Sequence, residues 1–283
     1  MDGAGLAIAV RGLRKVYGGT SAVDGIDLDV ATGEIFALLG PNGAGKTTTV
    51  EILEGYRKRD AGEVSVLGVD PGRPGPGLRQ RVGIVLQGTG EFDELTVGEV
   101  VGHFARFYPD ADDPAEVIRR VGLTDKVGSR THTLSGGQKR RLDVALGIIG
   151  RPELLFLDEP TTGFDPEARR EFWVLIKTLQ AAGTTIVLTT HYLEEAEALA
   201  DRVGVIARGR LIAVDTPRRM GRRDAALATV TWRTADGSWE HAQSATPTAL
   251  IADLAARFDG EVPGLTVTRP TLEDVYLEMI GAT

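Results

Sequence analysis

The stretch from residue 40 to residue 48, GPNGAGKTT, has the residue types and spacing of a phosphate-binding loop, G-x-x-x-x-G-K-[ST]. Its glycines let the backbone curl so that successive N–H groups point at an anion. Its lysine can reach the β- and γ-phosphates of a nucleotide, and the threonine that follows offers a hydroxyl to Mg²⁺. We therefore predict a site for a nucleoside triphosphate and Mg²⁺. The predicted nucleotide contacts are Gly40, Pro41, Asn42, Gly43, Ala44, Gly45, Lys46, Thr47 and Thr48.

The elements on either side of this loop are those that the chemistry requires. Residues 34–39 form an apolar stretch of strand length, and residues 49–54 have helical spacing without a breaker. The helix directs the positive end of its dipole at the point where the loop would bind phosphate. A Gly-rich turn without a ligand is the alternative, and the order of strand, loop and helix disfavours it.

Two adjacent carboxylates end another buried strand. Residues 154–157, LLFL, are apolar on both faces, which is typical of a central strand, and Asp158 and Glu159 follow. Carboxylates in that position repel each other and lose solvation, so a cation should lie near them. We predict that Asp158 holds Mg²⁺ through its water shell and that Glu159 orients or deprotonates the attacking water. A strand that ends in solvated acids is the alternative.

Polar residues also follow two further predicted strands. Gln87 comes directly after residues 82–86, and His191 comes directly after residues 184–190. Ligands of α/β proteins bind at the carboxyl ends of such strands. His191 could donate a hydrogen bond to a γ-phosphate or to the attacking water. The alternatives are a loop glutamine that makes no special contact and a structural histidine.

A second helix start could also bind an anion. Residues 134–138, LSGGQ, precede a helical pattern that runs to residue 149. Ser135 is a plausible helix cap, and the two glycines leave the helix start bare of side chains. A serine-capped helix that binds no ligand is the alternative.

One aromatic ring lies in a predicted turn. Tyr17 falls within residues 16–19, between predicted strands at residues 6–10 and 21–30. The second of these strands alternates apolar and acidic residues, so one of its faces should meet solvent. Tyr17 could stack on a flat base, or it could be an ordinary packing residue.

The composition limits what the chain can do. The 283 residues are 42% hydrophobic and 25% charged, with a net charge of −8, which disfavours a general affinity for nucleic acid. No cysteine is present, so disulfides, thiolate metal sites and thiol nucleophiles are excluded. The N-terminus lacks a signal pattern and no apolar run of about 18 residues occurs, so we expect a cytoplasmic location.

The rest of the chain divides into recognisable segments. The Pro- and Gly-rich residues 70–77 are predicted to form a surface loop without helix, and a helical insert with Phe and Val core positions is expected over residues 95–150. Arginines between residues 208 and 223 form a basic cluster, either a solvated linker face or a contact for anionic lipid. From residue 226 onward, strand and helix patterns predict a small α/β domain.

Taken together, six motifs resemble those of the ATP-binding subunit of an ABC transporter, in the family's order over roughly the first 215 residues. They are Tyr17, the loop at 40–47, Gln87, the stretch from Leu134 to Gln138, the pair Asp158 and Glu159, and His191. The ending PTLEDVYL, residues 270–277, is similar to that of the drug exporters of daunorubicin-resistance type. Phe164 departs from the leucine of many relatives, whereas Asp165 of the D-loop is retained.

The resemblance implies a fold class and a domain organisation. The fold is an α/β P-loop NTPase with an antiparallel β subdomain and a helical subdomain at about residues 88–150. The nucleotide-binding domain spans residues 1–217, and residues 226–283 form a small domain that helps to dimerise or regulate it.

The resemblance also implies ATP and Mg²⁺ as ligands. It gives catalytic roles to Lys46, Glu159 and His191, and it places Tyr17 and Gln87 on the nucleotide. Metal contacts fall to Thr47, Gln87 and Asp158. In the family, two cassettes pack head to tail, so a homodimer is expected in which the signature of one subunit touches the ATP of the other. The signature residues are Leu134, Ser135, Gly136, Gly137 and Gln138.

The implied function is export of a drug-like or other hydrophobic small molecule, powered from the cytoplasmic face of the membrane. A separate permease would meet residues 88–107, where Phe92 and Leu95 would help to form an apolar groove. An importer subunit and a soluble ABC protein that acts on ribosomes or nucleic acid are the alternatives. No nucleic-acid partner is expected, because the chain has one cassette and no sustained heptads.

Overall fold

The computed structural model of the chain describes residues 5–85 and 92–281. Gln87 and residues 88–91 of the segment predicted to meet a permease therefore lie outside the described residues. The chain divides into two compact units, Met1–Val214 and Asp215–Thr283.

The strands of the first unit belong to two sheets. In chain order they are β1 (Leu6–Tyr17), β2 (Thr20–Ala31), β3 (Ile35–Leu39), β4 (Ala61–Val66), β5 (Val82–Val85), β6 (Leu154–Asp158), β7 (Thr185–Thr190), β8 (Arg202–Ala207) and β9 (Arg210–Asp215).

The larger sheet has the strand order β5-β6-β7-β3-β8-β9. Strands β5, β6, β7, β3 and β8 run parallel to their neighbours in that order. Every residue of β3 and of β7 is buried, as the apolar patterns predict for central strands covered on both faces. Because parallel strands end at the same edge, Gly40 after β3, Asp158 in β6 and His191 after β7 lie along one rim of the sheet.

The smaller sheet is antiparallel, in the order β2-β1-β4. Val23, Ile26, Leu28 and Val30 are buried, which confirms the one-sided pattern predicted for β2. The predicted turn at residues 16–19 is wrong by two residues, because Tyr17 is still paired with Thr20 at the end of β1. Two glycines with positive φ, Gly18 and Gly19, suffice to close the hairpin.

Helices pack against the sheets and form the insert. They are α1 (Lys46–Leu53), α2 (Pro76–Arg81), α3 (Val97–Ala105), α4 (Pro114–Arg120), α5 (Gly136–Ile148), α6 (Pro166–Ala181) and α7 (Leu193–Leu199). Helix α2 corrects the prediction that residues 70–77 contain no helix. Its first residue is Pro76, at a position where the missing N–H of proline costs nothing. None of the helices within residues 5–85 and 92–281 is long and apolar enough to cross a membrane.

The helical insert is present, but the prediction that Phe107 belongs to its core, as part of the Phe and Val pattern, is wrong. Val97, Val100 and Val101 on α3 are buried, as expected from their spacing. Phe107, by contrast, is 65% exposed. Helix α3 ends at Ala105, so the spacing from Phe104 to Phe107 does not continue on the buried face.

The second unit forms its own layer of sheet and helix. Its strands are β10 (Ala228–Arg233), β11 (Trp239–Ser244) and β12 (Thr266–Thr268), and its helices are α8 (Pro247–Arg257) and α9 (Leu272–Gly281). The sheet is antiparallel in the order β11-β10-β12. Val230, Trp232, Leu254 and Val262 form its core. These elements match the strand and helix patterns predicted for the tail.

Candidate functional site

The phosphate loop runs from the end of β3 to the start of α1, and two of its glycines have no room for a side chain. A Cβ on Gly40 would lie 2.3 Å from the carbonyl oxygen of Ile206. Gly45 has a φ of 106°, and a Cβ there would lie 2.3 Å from the carbonyl oxygen of Ala22. Since these obstacles are backbone atoms, neither position tolerates even alanine without moving a neighbouring strand or loop.

Lys46 is the first residue of α1 and is only 5% exposed. Its Nζ donates hydrogen bonds to the carbonyl oxygens of Gly40, at 2.7 Å, and Pro41, at 3.2 Å. Burial lowers the pKa of this ammonium, while Glu159 and Asp158 raise it. Among residues 5–85 and 92–281, the hydrogen bonds of this buried cation go only to neutral carbonyls of its own loop, so it is suited to bind an anion in the same cradle.

Asp158 and Glu159 lie at the end of β6, and one threonine of β7 bonds to both residues. Thr189 Oγ1 donates to Asp158 Oδ1 at 2.5 Å and accepts the backbone N–H of Glu159 at 3.0 Å. Thr189 is fully buried. The hydroxyl therefore fixes the Asp158 carboxylate and the direction in which the chain leaves β6.

Glu159 adopts a left-handed backbone, with a φ of 43°. Its Oε1 lies 3.3 Å from Nδ1 of His191, and Thr162 Oγ1 donates to its Oε2 at 3.3 Å. A non-glycine residue in this region of φ costs free energy that the surroundings must offset, and such residues concentrate at functional sites. The carboxylate is thus held beside the imidazole at the rim where Lys46 lies, as a general base requires.

Helix α5 begins at the signature stretch with a capping box. Ser135 Oγ accepts the backbone N–H of Gln138 at 3.3 Å, and the Ser135 N–H donates to Gln138 Oε1 at 3.0 Å. Leu134 is buried, whereas Ser135 and Gly136 are exposed. The cap predicted at Ser135 is confirmed, and the first turn of α5 is open to a molecule outside the chain.

An arginine that the sequence did not single out joins α5 to β6. Arg140 donates to the carbonyl oxygen of Asp158 through Nη2 at 2.6 Å and to that of Pro160 through Nε at 3.1 Å. Burial lowers the pKa of this guanidinium, while Asp143, Asp158 and Glu195 raise it. The signature helix is therefore bonded to the main chain on both sides of Glu159.

Tyr17 presents a flat ring that is flanked by cations. It is 40% exposed, and Lys15 Nζ and the Arg57 guanidinium each lie 5.3 Å from the ring centroid. Such a ring can stack on a base while the two cations approach phosphate.

The D-loop residue Asp165 caps α6. Its Oδ1 accepts the backbone N–H of Ala168 at 2.8 Å. Phe164, the departure from the family pattern, packs edge to face on the buried Phe172 with ring centroids 5.7 Å apart. The larger ring is thus accommodated without loss of the cap.

The donors on this rim fit Mg²⁺. Thr47 is exposed at the start of α1, and Asp158 has one oxygen bonded to Thr189, which leaves Oδ2 as the oxygen that would hold the ion's water shell. Hydroxyl and carboxylate oxygens are the ligands that Mg²⁺ prefers, completed by substrate phosphates and water. Gln87, the third predicted metal contact, lies outside the described residues.

Sequence reasoning missed Thr189 and Arg140, although each leaves a signal. Thr189 is one of the last residues of an otherwise apolar strand, in the stretch VLTTH. A buried hydroxyl there must have a hydrogen-bond partner. A buried arginine in a helix that packs on the sheet must likewise find acceptors. Neither signal identifies the hydrogen-bond partner, because the partner becomes a neighbour only in the folded chain.

Comparison with known proteins gives consistent results. A family model described as ABC transporter matches residues 23–162. A daunorubicin resistance ATP-binding protein of Streptomyces coeruleorubidus is 37% identical over 98% of this chain and 96% of its own. A Nod factor export ATP-binding protein of Ralstonia nicotianae is 37% identical over 97% of this chain and 94% of its own.

A solved structure shares the fold over both units. It is described as an ATP-binding subunit of an ABC transporter, and it has a TM-score of 0.71 and 23% identity over 96% of this chain and 99% of its own. The near full-length relatives settle the class of protein. The chain belongs to the ABC transporter family, as a subunit that binds and hydrolyses ATP.

Proposed function

We propose that the chain powers export of a drug-like or other hydrophobic small molecule through a separate permease, from the cytoplasmic face of the membrane. The observation that best supports ATP-driven work is that Glu159 and His191 are paired beside the buried Lys46. The export direction is supported by the relatives, which are named for daunorubicin resistance and Nod factor export.

The catalytic roles follow from the chain's own groups. Lys46 exchanges its two carbonyl acceptors for oxygens of the β- and γ-phosphates. Glu159 takes a proton from the attacking water, and His191 holds that carboxylate in place and donates a hydrogen bond to the γ-phosphate. Mg²⁺, when bound at Thr47, Gln87 and Asp158, neutralises charge on the phosphates. Tyr17 stacks on the base.

The open start of α5 supports a homodimer with shared sites. Ser135 and Gly137 would meet the ATP held by the phosphate loop of a second copy, where the helix start favours an anion. Asp165, at the start of α6, would lie at the same dimer surface. The full set of motifs in one chain gives two equivalent sites.

A partly exposed aromatic cluster supports the permease contact at the predicted segment. Phe92 and Phe104 lie 5.5 Å apart between ring centroids, and Phe104 and Phe107 lie 5.9 Å apart. Phe107 and Leu95 are among the exposed large hydrophobic residues of the molecule. Exposed apolar surface of this kind marks a protein contact.

Beside this cluster lies a groove of about 260 Å³ that is lined by apolar side chains together with Glu54 and Arg79. Its lining residues include Leu53, Leu78, Val82, Ile84, Phe104, Tyr108 and Leu146. Glu54 also lines it, and burial, with the nearby Asp158 and Glu51, raises the pKa of that carboxyl to about 7. We propose that the groove and the aromatic cluster together receive a short helix of the permease.

The test uses Glu159→Gln, which keeps the shape of the side chain and removes the base. ATP should bind, while steady-state hydrolysis falls at least about a hundredfold and an ATP-bound dimer accumulates. The tagged variant is then recovered with ATP from detergent-solubilised native membranes, and the proteins that accompany it are identified. A polytopic membrane chain is the expected partner.

Glu167→Gln, the same change at an exposed acid in the first turn of α6, is the matched control and should behave as wild type. Normal multiple turnover by Glu159→Gln would refute the role of the base. Recovery of ribosomal proteins or nucleic acid without a membrane chain would contradict the transporter function.

A further inference from the structure

A carboxylate that the mechanism does not use lies buried behind the catalytic pair. Glu195 on α7 is 0% exposed. Its Oε1 accepts a hydrogen bond from Thr161 Oγ1 at 2.9 Å, and Thr161 is also fully buried. Burying a carboxylate is costly, so a residue needed only for packing would be apolar at this position.

The two threonines that face Glu195 belong to the segments that carry the catalytic residues. Thr161 follows Glu159 by two residues, and Thr190 directly precedes His191. Thr190 lies close enough to the Glu195 carboxyl to lower its pKa, against the raising effect of burial. Thr190 Oγ1 also accepts the backbone N–H of Tyr192 at 2.9 Å, which fixes the chain on the far side of the histidine.

Helix α6 closes the other side of this carboxylate. Trp173 and Arg169 both lower the pKa of Glu195, the indole because it faces the carboxyl and the guanidinium by its charge. The Arg169 guanidinium lies 5.0 Å from the centroid of the Tyr192 ring, and that ring lies 4.1 Å from the ring of His191. Glu195 therefore contacts or faces the chain after β6, the end of β7 and helix α6 at once.

The hydrogen bonding of this carboxylate is incomplete. Within residues 5–85 and 92–281, neither Oε2 of Glu195 nor Nε1 of Trp173 has a hydrogen-bond partner. Both atoms are buried, and the indole faces the carboxyl closely enough to affect its pKa. The indole N–H is a donor and the carboxylate oxygen an acceptor, so a hydrogen bond between them would satisfy both atoms.

We propose that Glu195 is a positioning residue that holds the Thr161 and Thr190 segments together, and so keeps Glu159 and His191 at catalytic distance. The inference rests on the catalytic roles proposed above for that pair. Because Glu195 is fully buried and is not among the proposed nucleotide contacts, its loss should reduce the rate of hydrolysis and leave ATP binding intact. Small displacements of a catalytic group are enough to produce large losses of rate.

Four variants of the full chain test the proposal. Glu195→Leu fills the space but removes the acceptor, and Thr161→Val removes the donor with little change of shape. Glu195→Gln keeps an acceptor at Oε1. Glu194→Gln makes the same change at the neighbouring residue of α7, whose side chain is 81% exposed, and is the matched control. Thermal unfolding is measured for each variant. Steady-state ATP hydrolysis is then measured at a temperature below the melting temperature of every variant.

The expected result is a fall in kcat of about tenfold for Glu195→Leu and for Thr161→Val, with KM for ATP within about twofold of wild type. Glu195→Gln should restore most of the rate. A fifth variant, which combines Glu195→Leu with Thr161→Val, should be no slower than either single variant, because both changes remove the same interaction. Glu194→Gln should match wild type.

Wild-type kcat in both Glu195→Leu and Thr161→Val would overturn the proposal, even if their melting temperatures fall. Additive losses in the double variant would overturn it as well. His191→Ala separates this inference from the proposed function. If His191→Ala is slow while the Glu195 variants are not, only the positioning role fails. If His191→Ala retains normal turnover, the proposed catalytic roles fail and the positioning role fails with them.

Discussion

Thr189 shows how one small side chain can bond to two adjacent acidic residues. Its hydroxyl donates to the carboxylate of Asp158 and accepts the backbone N–H of Glu159, whose own carboxylate lies beside Thr162 and His191. Adjacent carboxylates repel each other, and separate partners reduce that repulsion. The roles proposed for Asp158 and Glu159 therefore depend on a residue of the neighbouring strand.

Asp143 on α5 is the residue whose charge should be visible in a pH titration. Burial raises the pKa of its carboxyl to about 6, although Arg140 and Lys139 act in the opposite direction. An acid with a raised folded-state pKa binds its proton more tightly in the folded chain, so stability falls as pH rises towards about 6 and stays lower above it.

Asp143→Asn removes this effect, because the amide resembles the protonated acid. At pH 8 the free energy of unfolding should increase by about 1–2 kcal/mol, allowing for partial exposure of the carboxyl. At pH 4.5 the increase should shrink to less than half. Urea denaturation at the two pH values measures both changes. The exposed Asp125→Asn should show neither, and an equal gain at both pH values would show that charge is not the cause.

At the scale of elements, the first turn of α5 has two tasks. Its capping box stabilises the helix within the chain, and its open N–H groups are proposed to meet the ATP of a second copy. A substitution at Ser135 can separate these tasks, because a cap needs only an acceptor oxygen whereas a phosphate site excludes negative charge.

Ser135→Asp keeps an acceptor, so its free energy of unfolding should stay within about 0.5 kcal/mol of wild type, while Ser135→Ala should lose about 1 kcal/mol. ATP hydrolysis should fall much further in Ser135→Asp than in Ser135→Ala, because the new carboxylate repels the phosphates of the neighbouring site. Denaturation and steady-state turnover give the two readings. Equal turnover in the two variants would argue against an anion at this helix start.

The elements of the larger sheet could be predicted from sequence because parallel central strands are apolar on both faces. Residues 154–157 and 184–190 can each be predicted as a strand from their own apolar pattern. Because parallel strands end at one edge of the sheet, the residues that follow them lie close together. The errors fall where a local signal competes with chain geometry. Proline in residues 70–77 suggested a loop, but proline suits the first turn of a helix, and Phe107 follows a helix that has already ended.

Contacts between distant segments could not be predicted at all. The bonds from Arg140 to the main chain around Glu159, and from Thr161 to Glu195, join residues that no periodicity relates. Such pairs depend on the order of strands in the sheet, which the sequence pattern alone leaves open. The resemblance to a family supplied the roles of the motifs, but it did not supply these supports.

At the scale of the whole molecule, the proposed nucleotide contacts within the described residues all belong to the first unit, Met1–Val214. The second unit has a separate core around Val230 and Trp232. Units with separate cores can be separated genetically more readily than elements that share one.

A chain truncated after Pro217 should therefore bind ATP with a Kd within about threefold of the full chain. Titration with a fluorescent ATP analogue measures the affinity, and Lys46→Ala in the same truncated chain should abolish binding. A large loss of affinity in a truncated chain with native circular dichroism would mean that the second unit contributes to the nucleotide site.

The bonds of Arg140 have a consequence for a dimer of this chain. One end of α5 would face the nucleotide of the other copy, while Arg140, one turn further along, grips the main chain beside Glu159 in its own copy. In each copy, α5 would then connect the nucleotide of the other copy to the main chain beside its own Glu159. Hydrolysis at one site would therefore affect the other site, and hydrolysis of the two ATP molecules would be coupled.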